Sequence, residues 1–211
     1  PKVLLGIAFV VIIIGVFSHN YVVGLRAEEP RRAMVGIETL EFDSWLIPTI
    51  HGETYYNKPP FYNWVLAGSF SLFDSYKEWA VRFPGVLSFL LTGLLVFLLL
   101  KRYSTKKGAM IAAACYLTSA DLLFYGSVNA GEIDLFYSFL TLLQVYSFFH
   151  FAQQQKWWQA FLISYLLCFI GLLTKGIPSL AFQALSILAY LIVERKWKKL
   201  FGLAHISGIL L

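Results

Sequence analysis

The sequence of 211 residues is short of charged side chains. Only 14% of its residues are Asp, Glu, Lys or Arg, whereas 58% are hydrophobic and 18% are aromatic. A soluble core does not need so much apolar surface, and uncharged runs of about 18 residues or more match the hydrocarbon thickness of a bilayer. The shortage of charge therefore excludes a soluble domain and indicates a polytopic membrane protein.

Cysteine and histidine are also scarce, with two and four residues respectively. Cys115 and Cys168 both lie inside apolar runs, where a thiol usually packs as a small hydrophobic group. His51 and Glu53 share one loop, but one His and one Glu are too few ligands to indicate a zinc site. We therefore predict no metal ligands from these residues.

Basic residues outnumber acidic ones, and the formal net charge is +5. These residues occur in short clusters between the apolar runs, as they do in the cytoplasmic loops of membrane proteins. This distribution argues against nucleic acid as a partner, and we expect membrane lipids instead.

Long apolar runs are what the chain does have. In lipid, backbone groups must be satisfied within the segment, so runs of this length should form helices. No small-x-small cleavage site follows the first run, which favours a membrane span over a cleaved signal peptide. The predicted spans are residues 3–23, 83–100, 108–128, 135–152, 157–174, 177–193 and, incomplete, 200–211. The predicted fold is thus an all-α polytopic transmembrane bundle in one domain, residues 1–211, and we expect it to be part of a longer polypeptide.

Lysine and arginine set the predicted orientation. The loops after the second, fourth and sixth spans carry most of them, and strict alternation of helices places these loops on one side. The positive-inside rule makes that side cytoplasmic. The first long loop, about residues 24–78, then lies outside. The charged residues expected at the same outer level are Glu28, Glu29, Lys58, Glu132, Asp134 and Lys175.

The first outer loop begins with an acidic pair and a proline, Glu28-Glu29-Pro30. Acids and Pro are favoured at a helix start by the macrodipole and by the geometry of the first turn, whether or not they take part in chemistry. The following apolar positions recur at helical spacing and predict an amphipathic juxtamembrane helix on the membrane surface. They are Ala33, Met34, Ile37 and Leu40.

A second helix of this loop is predicted after Tyr55-Tyr56-Asn57-Lys58-Pro59-Pro60. The two prolines either only start an interfacial helix or hold the ammonium of Lys58 rigidly for an anion such as phosphate. Lys175 is either a snorkelling lysine in an interfacial turn or a second cation for that anion. Glu132 and Asp134 are either hydrated or placed for function. The residues alone leave these alternatives open.

Six motifs occur along the chain in an order that resembles that of a known family. They are the acidic pair followed by Arg31, the Trp45–Pro48 stretch, the Lys-Pro-Pro motif, the Trp79–Pro84 stretch, the acid that opens the fourth span, and Thr174–Pro178. Together they are similar to the N-terminal half of GT-C fold glycosyltransferases of the protein O-mannosyltransferase type. The bacterial branch containing the lipid A aminoarabinose transferase is the most similar. The resemblance covers nearly all 211 residues.

The resemblance implies an inverting transfer of a sugar from a polyprenyl-phosphate carrier to an acceptor hydroxyl on a lipid or protein. The enzyme would lie in a bacterial inner or plasma membrane, with its active site facing the periplasm or cell exterior. Glu28, where relatives often carry Asp, would be the general base, and cations would stabilise charge on the departing phosphate. The implied site comprises the catalytic acids Glu28 and Glu29, the phosphate ligands Lys58, Arg31 and Lys175, and the cavity residues Asp134, Tyr55 and Asn57.

One departure from the family concerns a cofactor. Relatives of the aminoarabinose branch often have Glu before the Lys-Pro-Pro motif, at a position linked to metal coordination, and this chain has Asn57. We therefore expect no certain cofactor and regard a divalent metal as doubtful. The alternative to an enzyme is a non-catalytic membrane subunit, or a lipid-binding or transport module, on the same scaffold.

Overall fold

A computed structural model describes residues 23–124, 128 and 130–210, together with residues 7, 10, 11, 14 and 15. The predicted first span, residues 3–23, therefore lies almost wholly outside the described residues. The chain divides into two compact units, residues 1–136 and 137–211. Each unit is described by itself, and one domain over residues 1–211 stays a prediction.

Between residues 23 and 124 the structure describes the two helices predicted in the outer loop and three more. A small antiparallel hairpin joins the first two, with Thr49 opposite Thr54 and Ile50 opposite Glu53. In chain order the elements are α1 (Glu29–Glu41), β1 (Thr49–Ile50), β2 (Glu53–Thr54), α2 (Phe61–Phe73), α3 (Glu78–Leu100), α4 (Lys106–Leu117) and α5 (Ala120–Phe124).

The boundaries of α1 and α2 follow from local chemistry. Pro30 lies in the first turn of α1, where its missing N–H costs no helical hydrogen bond. Pro60 precedes the first residue of α2 for the same reason. Asp74 ends α2 in a left-handed conformation, with φ 48°, and its N–H bonds to the carbonyl of Phe70.

The apolar positions of α1 pack against protein. Ala33 is buried in a core with Tyr62, Leu66 and Phe70 of α2, and Ile37 packs against the same core. The structure thus confirms helices in the first outer loop. It also shows that much of the apolar stripe predicted to face the membrane surface faces α2 instead, because the two helices share one core.

The hairpin is held by a buried carboxylate of α1. Glu38 accepts hydrogen bonds from the backbone N–H groups of His51, at 2.5 Å, and Gly52, at 3.3 Å. Both turn residues have positive φ, 54° and 76°, as a tight two-residue hairpin requires. Burial raises the pKa of Glu38, but hydrogen bonds from Thr49 and these two N–H groups bring it below its ordinary value. His51 therefore stabilises the hairpin through its backbone N–H.

The second unit is built from helices. Gly176, with φ 84°, ends one of them, and Pro178 opens the next. Its core includes Phe148, Phe161, Ile187 and Leu191. The elements are α6 (Ile133–Gln153), which begins in the first unit, α7 (Trp157–Lys175), α8 (Pro178–Val193), a 3₁₀ helix (Trp197–Phe201) and α9 (Leu203–Ile209).

Within the described residues, α3, α6 and α7 are long and apolar enough to cross a membrane, and α8 is apolar but shorter. They correspond to the predicted spans 83–100, 135–152, 157–174 and 177–193. The predicted span 108–128 differs, because the structure divides it between α4 and α5. At the break, the N–H of Ser119 bonds to the carbonyl of Tyr116 at 3.2 Å, and the chain turns before α5 begins at Ala120.

Gly36 lies where α1 packs closely against α2. A Cβ at this position would lie 2.9 Å from the Cβ of Leu66 and 3.1 Å from the ring of Phe70. Gly36→Ala should therefore force the helices apart and lower the free energy of unfolding by about 1–3 kcal/mol. Thermal unfolding of the purified protein in detergent measures this loss.

Gly68→Ala on α2 is the matched control. Nothing lies within 4 Å of a Cβ built there, so the substitution should be neutral or stabilising by up to about 1 kcal/mol. Equal melting temperatures for the Gly36 variant and the control would contradict the predicted close packing.

Candidate active site

A fully buried ion pair, Glu29 with Arg82, lies at the start of α1. The Arg82 Nε donates to Oε1 of Glu29 at 2.7 Å, and Nη2 donates to Oε2 at 2.9 Å. This two-point geometry is the strong form of an Arg–carboxylate interaction. The guanidinium also donates to the carbonyls of Val23, at 2.8 Å, and Gly24, at 3.1 Å. Arg82 thus connects α3 to the chain that enters α1.

Glu29 receives two further hydrogen bonds from the backbone. The N–H of Gly131 donates to Oε1 at 2.6 Å, and the N–H of Arg26 donates to Oε2 at 2.9 Å. Burial raises the pKa of Glu29, but the bonds from Arg82 and from these N–H groups bring it below its ordinary value. Glu29 is therefore ionised, and both of its oxygens are engaged within the protein.

Glu28, the neighbouring acid, has a different environment. Its Oε2 lies 3.0 Å from Nη1 of Arg31, one turn further along, and the two side chains are 43% and 45% exposed. Water screens an ion pair this exposed, so the interaction is weak. The carboxylate of Glu28 consequently remains accessible to a ligand.

The segment before α6 brings more acids to this place. Burial raises the pKa of the Glu132 carboxyl, and the negative charge of Asp134 raises it further. The charges of Glu28 and Glu29 act in the same direction, whereas Arg32 lowers it. Because all of these charges act on Glu132, the structure gathers the starts of α1 and α6 around one polar location.

Tyr62 joins α2 to the same location. Its hydroxyl donates to the carbonyl of Glu132 at 3.1 Å, and its ring packs against Phe136 with centroids 5.6 Å apart. Phe61 also stacks on Phe136, at 6.2 Å. Burial raises the pKa of Tyr62, so the phenol stays a neutral donor. These contacts hold the start of α2 against the start of α6.

Lys58 precedes α2 and is partly buried. Within the described part of the chain, its ammonium makes no hydrogen bond and no ion pair. Tyr55 is buried and its backbone N–H bonds to the carbonyl of Pro48 at 2.8 Å, whereas Asn57 is exposed. The ammonium of Lys58 is therefore available to bind an anionic ligand.

Lys175 belongs to the second unit. Its Nζ lies 5.3 Å from the centroid of the Tyr137 ring, within the range of a cation–π interaction. The Tyr137 hydroxyl lies 3.0 Å from Oγ of Ser179. The predicted convergence of Lys175 with Lys58 and Glu28 stays a prediction.

The described residues contain no group of three or more His, Cys, Asp or Glu side chains placed to hold a metal ion. The neutral amide of Asn57 is also a poorer ligand for a hard divalent cation than a carboxylate. The expectation of no certain metal stays a prediction.

The sequence prediction does not include Arg82, Arg32 or Tyr62 in the site. Two signals could have identified the arginines. Arg82 is an ionisable residue at the start of an apolar helix, where such a group usually has a specific partner. Arg32 is three residues after Glu29, a spacing that places both on one helix face.

Known proteins share this arrangement of the chain. Residues 57–211 match the family model of dolichyl-phosphate-mannose-protein mannosyltransferases. The chain belongs to this family.

Curated relatives extend the match to the first outer loop. The undecaprenyl phosphate-alpha-4-amino-4-deoxy-L-arabinose arabinosyl transferase of Edwardsiella ictaluri is 32% identical over 191 residues, which cover 87% of this chain and 34% of the relative. The protein of the same name from Erwinia tasmaniensis is 31% identical over 191 residues, with the same coverage. The chain therefore spans about a third of the length of the curated relatives it matches.

Two solved structures have the same fold. Crystal structures of ArnT from Cupriavidus metallidurans, in the apo state and bound to undecaprenyl phosphate, match with TM-scores of 0.78 and 0.75 at 21% and 20% identity. Each match covers 99% of this chain and 39% of the solved chain. The predicted resemblance to GT-C glycosyltransferases and the all-α polytopic fold are confirmed, and the chain is an integral membrane protein.

We expect Arg82→Met to lower the stability of the protein strongly. This change leaves the Glu29 carboxylate buried without its counter-charge, which should cost about 3–5 kcal/mol of unfolding free energy. The yield of folded protein and its melting temperature in detergent measure the loss.

Arg31→Met removes an arginine from the exposed pair with Glu28 and serves as the control. It should change the unfolding free energy by no more than about 1 kcal/mol. The interpretation is wrong if both variants lose the same stability.

Proposed function

We propose that this chain provides the donor-binding and catalytic part of a membrane glycosyltransferase that moves a sugar from a polyprenyl-phosphate carrier to an acceptor hydroxyl. One observation carries the proposal. The Glu29–Arg82 pair and its hydrogen bonds hold the starts of α1, α3 and α6 together, and the hydroxyl of Tyr62 ties the start of α2 to the same place. Glu28, an accessible carboxylate, adjoins the start of α1, and Lys58, a cation without a partner among the described residues, adjoins the start of α2. The names of the relatives, which specify an undecaprenyl phosphate-linked aminoarabinose, support the same class of donor.

The two neighbouring acids have different roles in this proposal. Glu29 is a positioning residue, because both of its oxygens accept hydrogen bonds from the protein. Glu28 is the general base, because its exposed pair with Arg31 leaves it free to accept a proton. Arg31 orients the carboxylate of Glu28 between turnovers.

The transfer proceeds in one displacement. Glu28 removes the proton of the acceptor hydroxyl as the acceptor oxygen forms a bond to the anomeric carbon of the sugar. The bond from that carbon to the phosphate oxygen breaks on the opposite face, so the configuration inverts. The electron pair leaves with the phosphate, and the products are the glycosylated acceptor and the free polyprenyl phosphate.

Helix N-termini and the ammonium of Lys58 stabilise the departing phosphate. The starts of α1, α2 and α6 carry the positive ends of helix macrodipoles, and hydrogen bonds from Tyr62 and Gly131 keep these starts together. Lys58 adds a full charge at the start of α2. Such preorganised charge is usually the largest contribution to catalysis of this kind.

The site faces the outside of the membrane in this proposal. Lysines and arginines concentrate in the loops at the opposite ends of the apolar helices, as the positive-inside rule requires of the cytoplasmic side. The acceptor is the hydroxyl of a lipid or a protein that reaches this face.

Glu28→Gln tests the general base. The amide cannot accept the proton, so transfer from an undecaprenyl phosphate-linked sugar should fall by about 10²–10⁴-fold while the amount of folded protein stays unchanged. Mass spectrometry of surface glycolipids and glycoproteins, in cells with and without the intact gene, identifies the product to assay. Glu53→Gln, in the exposed hairpin, is the control and should retain activity. Full transfer by the Glu28 variant would exclude this residue as the base.

Lys58→Ala tests carrier binding. Loss of the ammonium should raise the apparent KM for the donor by about tenfold or more, since a hydrogen bond to a charged group contributes roughly 1.5–3 kcal/mol. Lys77→Ala, exposed just before α3, is the control. An unchanged KM in the Lys58 variant would argue against a phosphate ligand at this position.

A further inference from the structure

Arg32 is a buried cation on the first turn of α1. Its side chain is only 6% exposed, and within the described residues its guanidinium makes no hydrogen bond and no ion pair. A charge held away from water is normally paired, because an unpaired one loses its hydration without compensation. The guanidinium of Arg82, by contrast, makes four hydrogen bonds.

The position of Arg32 is that of the candidate active site. It lies on the first turn of α1, and its N–H bonds to the carbonyl of Glu28 at 3.0 Å. Its charge acts on the hydroxyl of Tyr62 and on the carboxyl of Glu132. The guanidinium is therefore close to the place where α1, α2 and α6 begin.

A second buried donor without an acceptor lies on α2, the helix that packs against α1. Asn63, on the first turn of α2, is 2% exposed, and its Nδ2 makes no hydrogen bond within the described residues. The two helices pack through one core that contains Ala33 and Tyr62. Buried donors without acceptors on two packed helices indicate a ligand that supplies acceptor oxygens.

We propose that Arg32 binds the phosphate group of the carrier lipid as a second cation beside Lys58. This inference rests on the proposed function and adds a ligand that the family resemblance does not supply. A guanidinium offers a planar pair of N–H donors that fits two phosphate oxygens, whereas the ammonium of Lys58 acts as a point charge. Arg32 would thus orient the phosphate, and Lys58 would add a positive charge beside it.

A structural role is the competing interpretation. Glu132 senses the charge of Arg32, so Arg32 could simply be its counter-ion. The two interpretations differ in one measurable property. A phosphate ligand changes the preference for a phosphorylated lipid over its alcohol, whereas a counter-ion changes only the stability of the fold.

The experiment compares two lipids that differ only in the phosphate. Binding of undecaprenyl phosphate and of undecaprenol to the full-length gene product in nanodiscs is measured by native mass spectrometry. Arg32→Gln should reduce the preference for the phosphate about ten- to hundredfold and leave undecaprenol binding unchanged. Arg32→Lys should retain part of the preference, because it keeps the charge but loses the planar pair of donors. Arg102→Gln, in an exposed loop predicted on the cytoplasmic side, should behave as wild type.

The outcomes separate this inference from the proposed function. If Lys58→Ala loses the preference and Arg32→Gln keeps it, the role of Arg32 is overturned and the carrier site stands. If the wild-type protein shows no preference, the proposed function fails. Inorganic phosphate that binds in an Arg32-dependent manner without any lipid preference would keep the anion site and overturn the carrier as its source. Should Arg32→Gln fail to fold, Arg32→Lys decides, and an unchanged preference in that variant overturns the inference.

Discussion

The buried ion pair between Glu29 and Arg82 is the constraint on which the first unit depends. Two charges removed from water are stable only when every donor and acceptor is matched, and here the carboxylate receives four hydrogen bonds. Two of these bonds come from Arg82 of α3, one comes from the entrance to α1 and one from the segment before α6. One carboxylate therefore sets the relative positions of the elements that carry the candidate site.

Neighbouring residues on α1 have opposite environments because successive side chains of a helix point about 100° apart. Glu28 and Arg31 form an exposed pair, whereas Glu29 and Arg32 lie on the buried face. The motif Glu-Glu-Pro-Arg-Arg thus contains one accessible acid, one structural acid, one surface cation and one buried cation. This division makes the first acid suitable for chemistry and the second suitable for positioning.

Much of the fold could be predicted from the sequence, because hydrophobic runs and helix-start residues are local signals. The spans 83–100, 135–152 and 157–174, and the helices after Pro30 and Pro60, correspond to helices of the structure. The break between α4 and α5 could not be predicted from hydropathy alone, since hydropathy does not show where a helix ends in a turn within an apolar run. The packing of the apolar stripe of α1 against α2 could not be predicted either, because the sequence of a stripe does not show whether lipid or another helix covers it.

The sequence by itself determined the class of protein, the order of its helices and the motifs that carry the resemblance to GT-C enzymes. These properties depend on composition and on residues close together in the chain. Only the tertiary structure decided which acid is free, because the partners of Glu29 are Arg82 and Gly131, which are 53 and 102 residues away. It also decided that Arg32 is buried and has no hydrogen-bond or ion-pair partner among the described residues, since burial depends on how α1 packs and not on the charge of the residue.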